Sequence, residues 1–95
     1  MIAMQQTYKT CNDVRFRALG DEGIVVRQQA GEVIVLNAAG ARVIELVAGG
    51  ASGAAIVDQL EQEYDADRAT LERDVAAHLA ELLEAHVIEP APSAA

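Results

Sequence analysis

Residues 33–50, VIVLNAAGARVIELVAGG, contain a complete strand-to-helix transition. The apolar, mostly β-branched run Val33–Leu36 is typical of a strand, and the amide oxygen of Asn37 can accept from the free N–H groups of a starting helix. Apolar residues then recur at helical spacing, at Ala39, Val43, Leu46 and Val47. Gly49-Gly50 supplies a left-handed exit. The stretch therefore predicts a strand, a capped amphipathic helix and a glycine stop.

Two further strands are predicted upstream of this stretch. Val14–Leu19 alternates apolar and basic residues, which is the period of a half-buried strand, and Ile24–Arg27 is β-branched. Four-residue connections, Gly20–Gly23 and Gln28–Gly31, separate these segments from each other and from Glu32–Leu36. Three strands with such short connections are typical of an antiparallel meander.

Two more helices are predicted downstream. Ser52 is a plausible N-cap for the second helix, which has apolar residues at Ile56, Val57, Leu60 and Tyr64. Asp67 can cap the third and longest helix, whose buried stripe is predicted at Leu71, Val75, Leu79, Leu82 and Leu83. Val87-Ile88 can add a short terminal strand. The fold class is thus α+β and winged-helix-like, with a three-stranded antiparallel sheet followed by three helices. Such modules bind an extended ligand, either a nucleic acid or a peptide.

The 95 residues are enough for one domain, predicted over residues 14–89. Residues 1–13 are polar and mixed, which predicts a flexible N-terminal arm. Pro90 and Pro92 predict a disordered tail over residues 90–95. The chain is 52% hydrophobic but only 3% aromatic, so its core must consist of Ala, Val, Ile and Leu.

The charge balance disfavours nucleic-acid binding. Fifteen Asp+Glu against seven Lys+Arg give a net charge of −8, the opposite of what phosphate binding requires. The predicted third helix has two cations, Arg68 and Arg73, against acidic residues at 72, 74, 81 and 84. A winged-helix DNA-binding regulator is therefore a minor alternative.

No catalytic residue, metal ligand set or cofactor motif is predicted. His78 and His86 are two helical turns apart, roughly 12 Å along the axis, so they cannot share a metal within one chain. The single cysteine, Cys11, is interpreted as a plain free thiol. The sequence contains neither a signal-peptide pattern nor an apolar run of membrane-spanning length, which favours a cytoplasmic protein.

The segment Val33–Leu36 has neither the charges nor the proline that usually protect a sheet edge. If successive strands are neighbours in the sheet, this strand lies at an edge with free N–H and C=O groups. Either another part of the fold covers this edge, or another strand pairs there, from a peptide ligand or from a second copy in a homodimer.

The order and spacing of these residues resemble the PqqD family over about residues 14–89. One half of the resemblance lies in Val35-Leu36-Asn37, Gly40, Ile44 and residues 47–50. The other half lies in Asp74-Val75, Leu79, Leu82 and Val87-Ile88, with Ile56, Leu60 and Tyr64 between the halves. His86 stands where the family commonly has a glycine.

The resemblance implies a non-catalytic protein that binds the leader of a ribosomally made precursor peptide and presents it to a modifying enzyme. In pyrroloquinoline quinone biosynthesis that enzyme is a radical S-adenosylmethionine enzyme, and related domains serve lasso peptides. By analogy, the leader adds as a strand beside the third strand and contacts the third helix. The residues implied in peptide binding are Val33, Ile34, Val35, Leu36, Arg68, Leu71, Glu72, Val75, His78 and Leu79.

Most of the apolar residues of the predicted third helix are expected to be ordinary core, because a helix needs one buried stripe. Arg68 and Glu72 are an i,i+4 pair, for which a solvated surface pair is the more common arrangement. The groove prediction therefore concerns the margin of the stripe, at Arg68, Glu72, Val75 and His78.

Overall fold

A three-stranded antiparallel sheet followed by three helices forms the body of the fold, in a computed structural model that describes residues 4–91. The elements in chain order are β1 (Tyr8–Thr10), β2 (Val14–Leu19), β3 (Glu22–Arg27), β4 (Glu32–Leu36), α1 (Ala38–Ala48), α2 (Gly53–Glu63), α3 (Arg68–Glu84) and β5 (Ile88–Pro90). The predicted α+β class is confirmed. The segment predicted as the third strand is β4.

The sheet has the order β2-β3-β4, with β3 in the centre. Its inner face is built from matched rows, such as Phe16, Val25 and Ile34, and packs on α1. The first connection is shorter than predicted, because Glu22 and Gly23 belong to β3 and leave Gly20-Asp21 as a two-residue turn. Gly23 is needed for close packing: a Cβ atom there would lie 2.7 Å from the Phe16 ring and 2.9 Å from Ala41 Cβ.

The predicted helix caps lie where the sequence places them. Asn37 Oδ1 accepts from the Gly40 N–H at 2.8 Å, and Ser52 Oγ accepts from the Ala55 N–H at 3.2 Å. Each bond satisfies one of the free N–H groups in the first turn of its helix. Asp67 occupies the N-cap position of α3, but its side chain makes no capping hydrogen bond.

The expectation of a loose arm over residues 1–13 differs from the structure at Tyr8–Thr10. This segment is β1, which pairs antiparallel with β5 in a second, two-stranded sheet. Tyr8 is 4% exposed and joins the core, and β1 packs against α1. A strand of three residues is too short to give a periodic pattern, so the sequence did not show it.

The predicted tail also begins later than expected. Pro90 is the last residue of β5, and the Ala91 N–H donates to the Thr7 carbonyl at 3.0 Å. The remaining parts of the predicted arm and tail, residues 1–3 and 92–95, lie outside the described residues.

The core is aliphatic, as the composition predicts. Its fully buried side chains come from the sheet, from all three helices and from the segment that follows α3, at Val25, Val43, Ile44, Val47, Ile56, Val57, Val75, Leu79, Val87 and Ile88. No charged or polar side chain is buried within residues 4–91. In the same range, none of the helices combines the length and the apolar character that a membrane span requires.

Two helices end in the same left-handed motif. At the end of α1, the N–H groups of Gly50 and Ala51 donate to the carbonyls of Val47 and Leu46 at 2.9 and 3.1 Å. This pair of hydrogen bonds is a Schellman motif. The motif requires a residue with positive φ, and the φ of Gly50 is 90°.

The end of α3 repeats this geometry with a histidine in place of the glycine. The N–H groups of His86 and Val87 donate to the carbonyls of Leu83 and Leu82 at 3.1 and 2.9 Å. His86 has a φ of 61°, a conformation that costs a residue with a Cβ atom more than it costs glycine. This backbone geometry favours glycine at position 86.

We expect His86→Gly to raise the free energy of unfolding by about 0.5–1 kcal/mol, because it removes the Cβ penalty at an exposed position. Urea denaturation measures the change. His86→Ala keeps the Cβ atom and should give no such gain, and Gly50→Ala, at the matching position of α1, should lose a similar amount. Equal stabilities of the glycine and alanine variants at position 86 would contradict this explanation.

Candidate functional site

One side of the β4 backbone is open. Strand β4 pairs with β3 alone, and no other strand within residues 4–91 lies beside it. Val33 and Val35 are 62% and 61% exposed, whereas Ile34 and Leu36 are partly buried and pack against the core. The predicted edge strand is therefore present, with free backbone donors and acceptors next to exposed apolar side chains.

An apolar cleft lies between α1, the end of α2 and α3. Its volume is about 180 Å³, and it is lined by Ala39, Val43, Leu60, Tyr64, Ala66, Leu71, Asp74, Val75 and His78. Most of this lining is aliphatic, and its polar groups are the Tyr64 phenol, the Asp74 carboxylate and the His78 imidazole. Because a cavity of about 150 Å³ suffices for benzene, the cleft has room for one large apolar side chain.

The first turn of α1 connects the cleft to the open edge. This turn follows β4 after the single residue Asn37. A Cβ atom at Gly40 would lie 3.5 Å from His78 Nδ1 and 3.5 Å from Leu36 Cβ. The α3 wall of the cleft therefore lies next to the C-terminal end of the open strand, so that one extended ligand could contact both.

The structure brings together part of the residue set implied for peptide binding. Leu71, Val75 and His78 line the cleft, and Val33–Leu36 forms the edge strand beside it. Leu79 is fully buried in the core and does not line the cleft. The sequence pattern identified the buried stripe of α3, but only the packing of α1 and α2 against it decides which members of the stripe line the cleft.

Arg68 and Glu72 lie away from the cleft lining, in an exposed charged network. The Arg68 guanidinium is 2.8 Å from Asp58 Oδ1 and 3.2 Å from Glu61 Oε1, both on α2, and 3.7 Å from Glu72 Oε2. The solvated pair expected from the i,i+4 spacing is present, and it extends across to α2. The carboxylates of this network compensate the positive charge of Arg68. The ion pairs with Asp58 and Glu61 also link the start of α3 to α2.

A second charged network supports the mouth of the cleft. Arg42 on α1 binds Glu63 at the end of α2 with a closest distance of 2.6 Å, and Gln59 donates to the same carboxylate at 2.8 Å. Two hydrogen bonds lower the pKa of the Glu63 carboxyl. The bond from Arg42 has the larger effect and the bond from Gln59 the smaller one. Because Tyr64 follows directly, this network fixes the end of α2 from which Tyr64 reaches the cleft.

Sequence reasoning did not assign Ala39, Val43, Leu60, Tyr64, Ala66 or Asp74 to the site. The apolar members are indistinguishable from core residues in the sequence. Asp74 carried one usable signal, because it lies four residues before His78 and therefore on the same face of α3.

Cys11 lies outside this site, between β1 and β2, where it is partly buried. Burial, and then the neighbouring Glu89 carboxylate, raise the pKa of its thiol to about 11. The thiol is therefore protonated at neutral pH, which makes it a poor nucleophile. Within residues 4–91, no three His, Cys, Asp or Glu side chains come together as metal ligands.

Comparisons with known proteins give one family and two similar structures. The family model described as coenzyme PQQ synthesis protein D (PqqD) matches residues 22–88. The solved structure "TbiB1 in Complex with the TbiA(beta) Leader Peptide" matches with a TM-score of 0.81 and 30% sequence identity, covering 90% of this chain and 99% of that chain.

The second similar structure is "Lasso peptide synthetase B1 complexed with the leader peptide". It matches with a TM-score of 0.79 and 24% identity, covering 87% of this chain and 98% of that chain. At that identity the likeness shows the fold. No curated protein sequence matches the chain significantly.

Proposed function

Since the chain belongs to the PqqD family, we propose that it is a non-catalytic, cytoplasmic accessory protein that captures the leader of a ribosomally made precursor peptide. The leader adds as a strand to the open edge of β4, and the protein presents it to a modifying enzyme. The observation that carries this proposal is the unpaired edge of β4 beside an apolar cleft. The similar structure of TbiB1, which is a complex with a leader peptide, supports it.

The energetics of strand addition suit a carrier that must release its cargo. Four or five backbone hydrogen bonds contribute about 0.5–1.5 kcal/mol each, and two apolar anchors add roughly 1.5–3 kcal/mol each. Ordering a disordered leader costs several kcal/mol. The balance corresponds to a dissociation constant between about micromolar and tens of nanomolar.

The electrostatics favour a peptide over DNA. Arg68, one of the two cations on α3, is already matched by carboxylates on α2 and α3. A recognition helix for the major groove needs cations that are free to bind phosphates. The net charge of −8 further opposes binding to a polyanion.

The direct test is isothermal titration of this protein with the short precursor peptides encoded near its gene, alongside a random DNA duplex. We expect submicromolar binding to one peptide, weakened by truncation of its leader. The peptide that binds also names the pathway, whether pyrroloquinoline quinone or another modified peptide such as a lasso peptide. Absence of peptide binding together with salt-sensitive duplex binding would overturn the proposal.

The open edge could also pair with its own copy, so a homodimer is a separate hypothesis. Strand addition by a leader and self-pairing compete for the same donors and acceptors of β4. Light scattering that returns about 10.0 kDa over a wide concentration range would exclude the dimer.

Proline substitution tests the backbone ladder. Successive residues of a strand direct their N–H groups to opposite sides, so of Ile34 and Val35 one donates to β3 and the other faces the open edge. We expect Val35→Pro to weaken leader binding at least tenfold if its N–H faces outward, and Ile34→Pro to do so otherwise. Circular dichroism identifies which variant remains folded.

Val35→Ala is the matched control, because it trims an exposed side chain and keeps the N–H donor. It should bind the leader within a few-fold of the parent protein. A proline variant that is folded and binds normally, at whichever of the two positions tolerates it, would contradict strand addition at this segment.

Filling the cleft tests the apolar anchor. Ala39 lines the cleft from α1, so Ala39→Phe should occupy the space intended for a leader side chain and weaken binding about tenfold or more. Ala38→Phe, at the neighbouring exposed position, adds the same ring outside the cleft and should bind normally. Equal affinities of the two folded variants, measured by titration, would exclude the cleft as an anchor site.

A further inference from the structure

The outer face of the three-stranded sheet is organised in two rows across the strands. One row is Arg15, Val26 and Val33, and the next is Arg17, Ile24 and Val35. Each row therefore has an arginine on β2 followed by two β-branched apolar residues on β3 and β4. We call these six side chains the outer sheet face.

No helix covers this face within the described part of the chain, because α1 packs on the opposite side of the sheet. Val33 and Val35 are more than half exposed, Ile24 and Val26 are partly exposed, and Leu19, which shares the outward direction, is 51% exposed. A depression of about 350 Å³ over β2 and β3 is lined by Arg15, Arg17, Ile24 and Val26 of this face, together with Phe16 and Gln28. Exposed apolar surface that is this contiguous typically marks an interaction site.

The two arginines of this face, unlike most of the other cations, have no carboxylate partner among the described residues. Arg27, Arg42 and Arg68 each lie within 2.8 Å of a carboxylate oxygen. Among residues 4–91, by contrast, no carboxylate lies within 4.0 Å of Arg15 or Arg17. The Arg15 guanidinium instead donates to the backbone carbonyls of Asn12 and Val14 at 3.2 and 3.1 Å.

The outer sheet face is therefore cationic and apolar in a protein with a net charge of −8. Of the outward register positions in β2, β3 and β4, Glu22 alone carries a carboxylate, opposite Leu19 at the end of the sheet. A partner surface that complements this face would have an apolar centre and carboxylates along one side. Such pairing of charge fixes orientation and speeds association.

We propose that the outer sheet face docks the enzyme that acts on the bound precursor peptide, through an apolar, carboxylate-bearing patch on that enzyme. This proposal rests on the proposed function. A leader strand added to β4 would extend the same sheet, so its alternate side chains would continue the outer sheet face. An enzyme docked there contacts the carrier and the leader together, while the cleft stays available to the leader.

A second copy of the chain fits this face less well. A two-fold contact places the same surface on both partners, so the unmatched arginines of each copy would face a surface with a single carboxylate position. A nucleic acid is opposed by the net charge. An acidic, apolar protein surface is the occupant that the charges favour.

The test uses the leader-bound protein and, as probe, the purified peptide-modifying enzyme encoded beside its gene. We expect Arg17→Glu and Ile24→Ser each to weaken enzyme binding at least tenfold. Arg73→Glu makes the same charge change at an exposed position on α3, outside both surfaces, and should bind within twofold of the parent. All three variants should keep the parent affinity for the leader, because none of these residues contributes to the cleft or the β4 edge.

Other outcomes overturn the proposal in distinguishable ways. If Arg73→Glu weakens enzyme binding as much as Arg17→Glu does, the loss of binding comes from the change in net charge and not from the outer sheet face. Normal enzyme binding by both face variants, or no enzyme binding by a protein that binds the leader, would reject this face as the docking surface. A rise in mass with concentration that Arg17→Glu abolishes would assign the face to self-association. Failure of the leader itself to bind would overturn the proposed function as well.

Discussion

The direct passage from β4 into α1 determines the rest of this structure. Asn37 is the single residue between the two elements, and its side chain caps the helix that begins there. The chain turns at once beneath the sheet, α1 covers the inner face, and the next strand in the chain, β5, pairs with β1 instead of β4. The close contact between Gly23 of β3 and Ala41 of α1 shows how tightly the two layers meet. An open strand edge is the consequence of this connection.

Packing and charge divide the surface into parts with different properties. The helices carry most of the carboxylates, and Arg42 and Arg68 are used there to link α1 with α2 and α2 with α3. On the outer sheet face, Arg15 and Arg17 have no carboxylate partner among the described residues. The core is aliphatic and contains no charged group among the described residues, so the charged groups of this part of the chain lie at its surface.

The ends of the described chain contribute to the same architecture. The pairing of β1 with β5 joins the segment before the sheet to the segment after α3, and Tyr8 adds an aromatic side chain to the aliphatic core. The left-handed His86 sets the direction in which the chain leaves α3 toward β5. The small second sheet therefore fastens the segment before the three-stranded sheet to the segment after α3.

The sequence by itself determined the elements that depend on local physics. Periodicity and caps placed β4, α1, α2 and α3 closely, because Asn37, Ser52 and the glycines after α1 act on their immediate neighbours. The lack of charge or proline in Val33–Leu36 predicted an edge before any partner strand could be seen. Composition predicted an aliphatic core, and the charge balance disfavoured nucleic acid.

Only the tertiary structure decided which residues share a surface. Val43, Leu60 and Leu71 come from three helices and resemble core residues in the sequence, yet they line one cleft because the helices do not close completely against each other. Leu79 belongs to the same stripe as Leu71 but is sealed in the core. The three-residue β1 exists through its pairing with β5, which lies about eighty residues away along the chain. Such contacts between distant segments leave no local pattern, so the sequence could predict the elements but not the site that they form together.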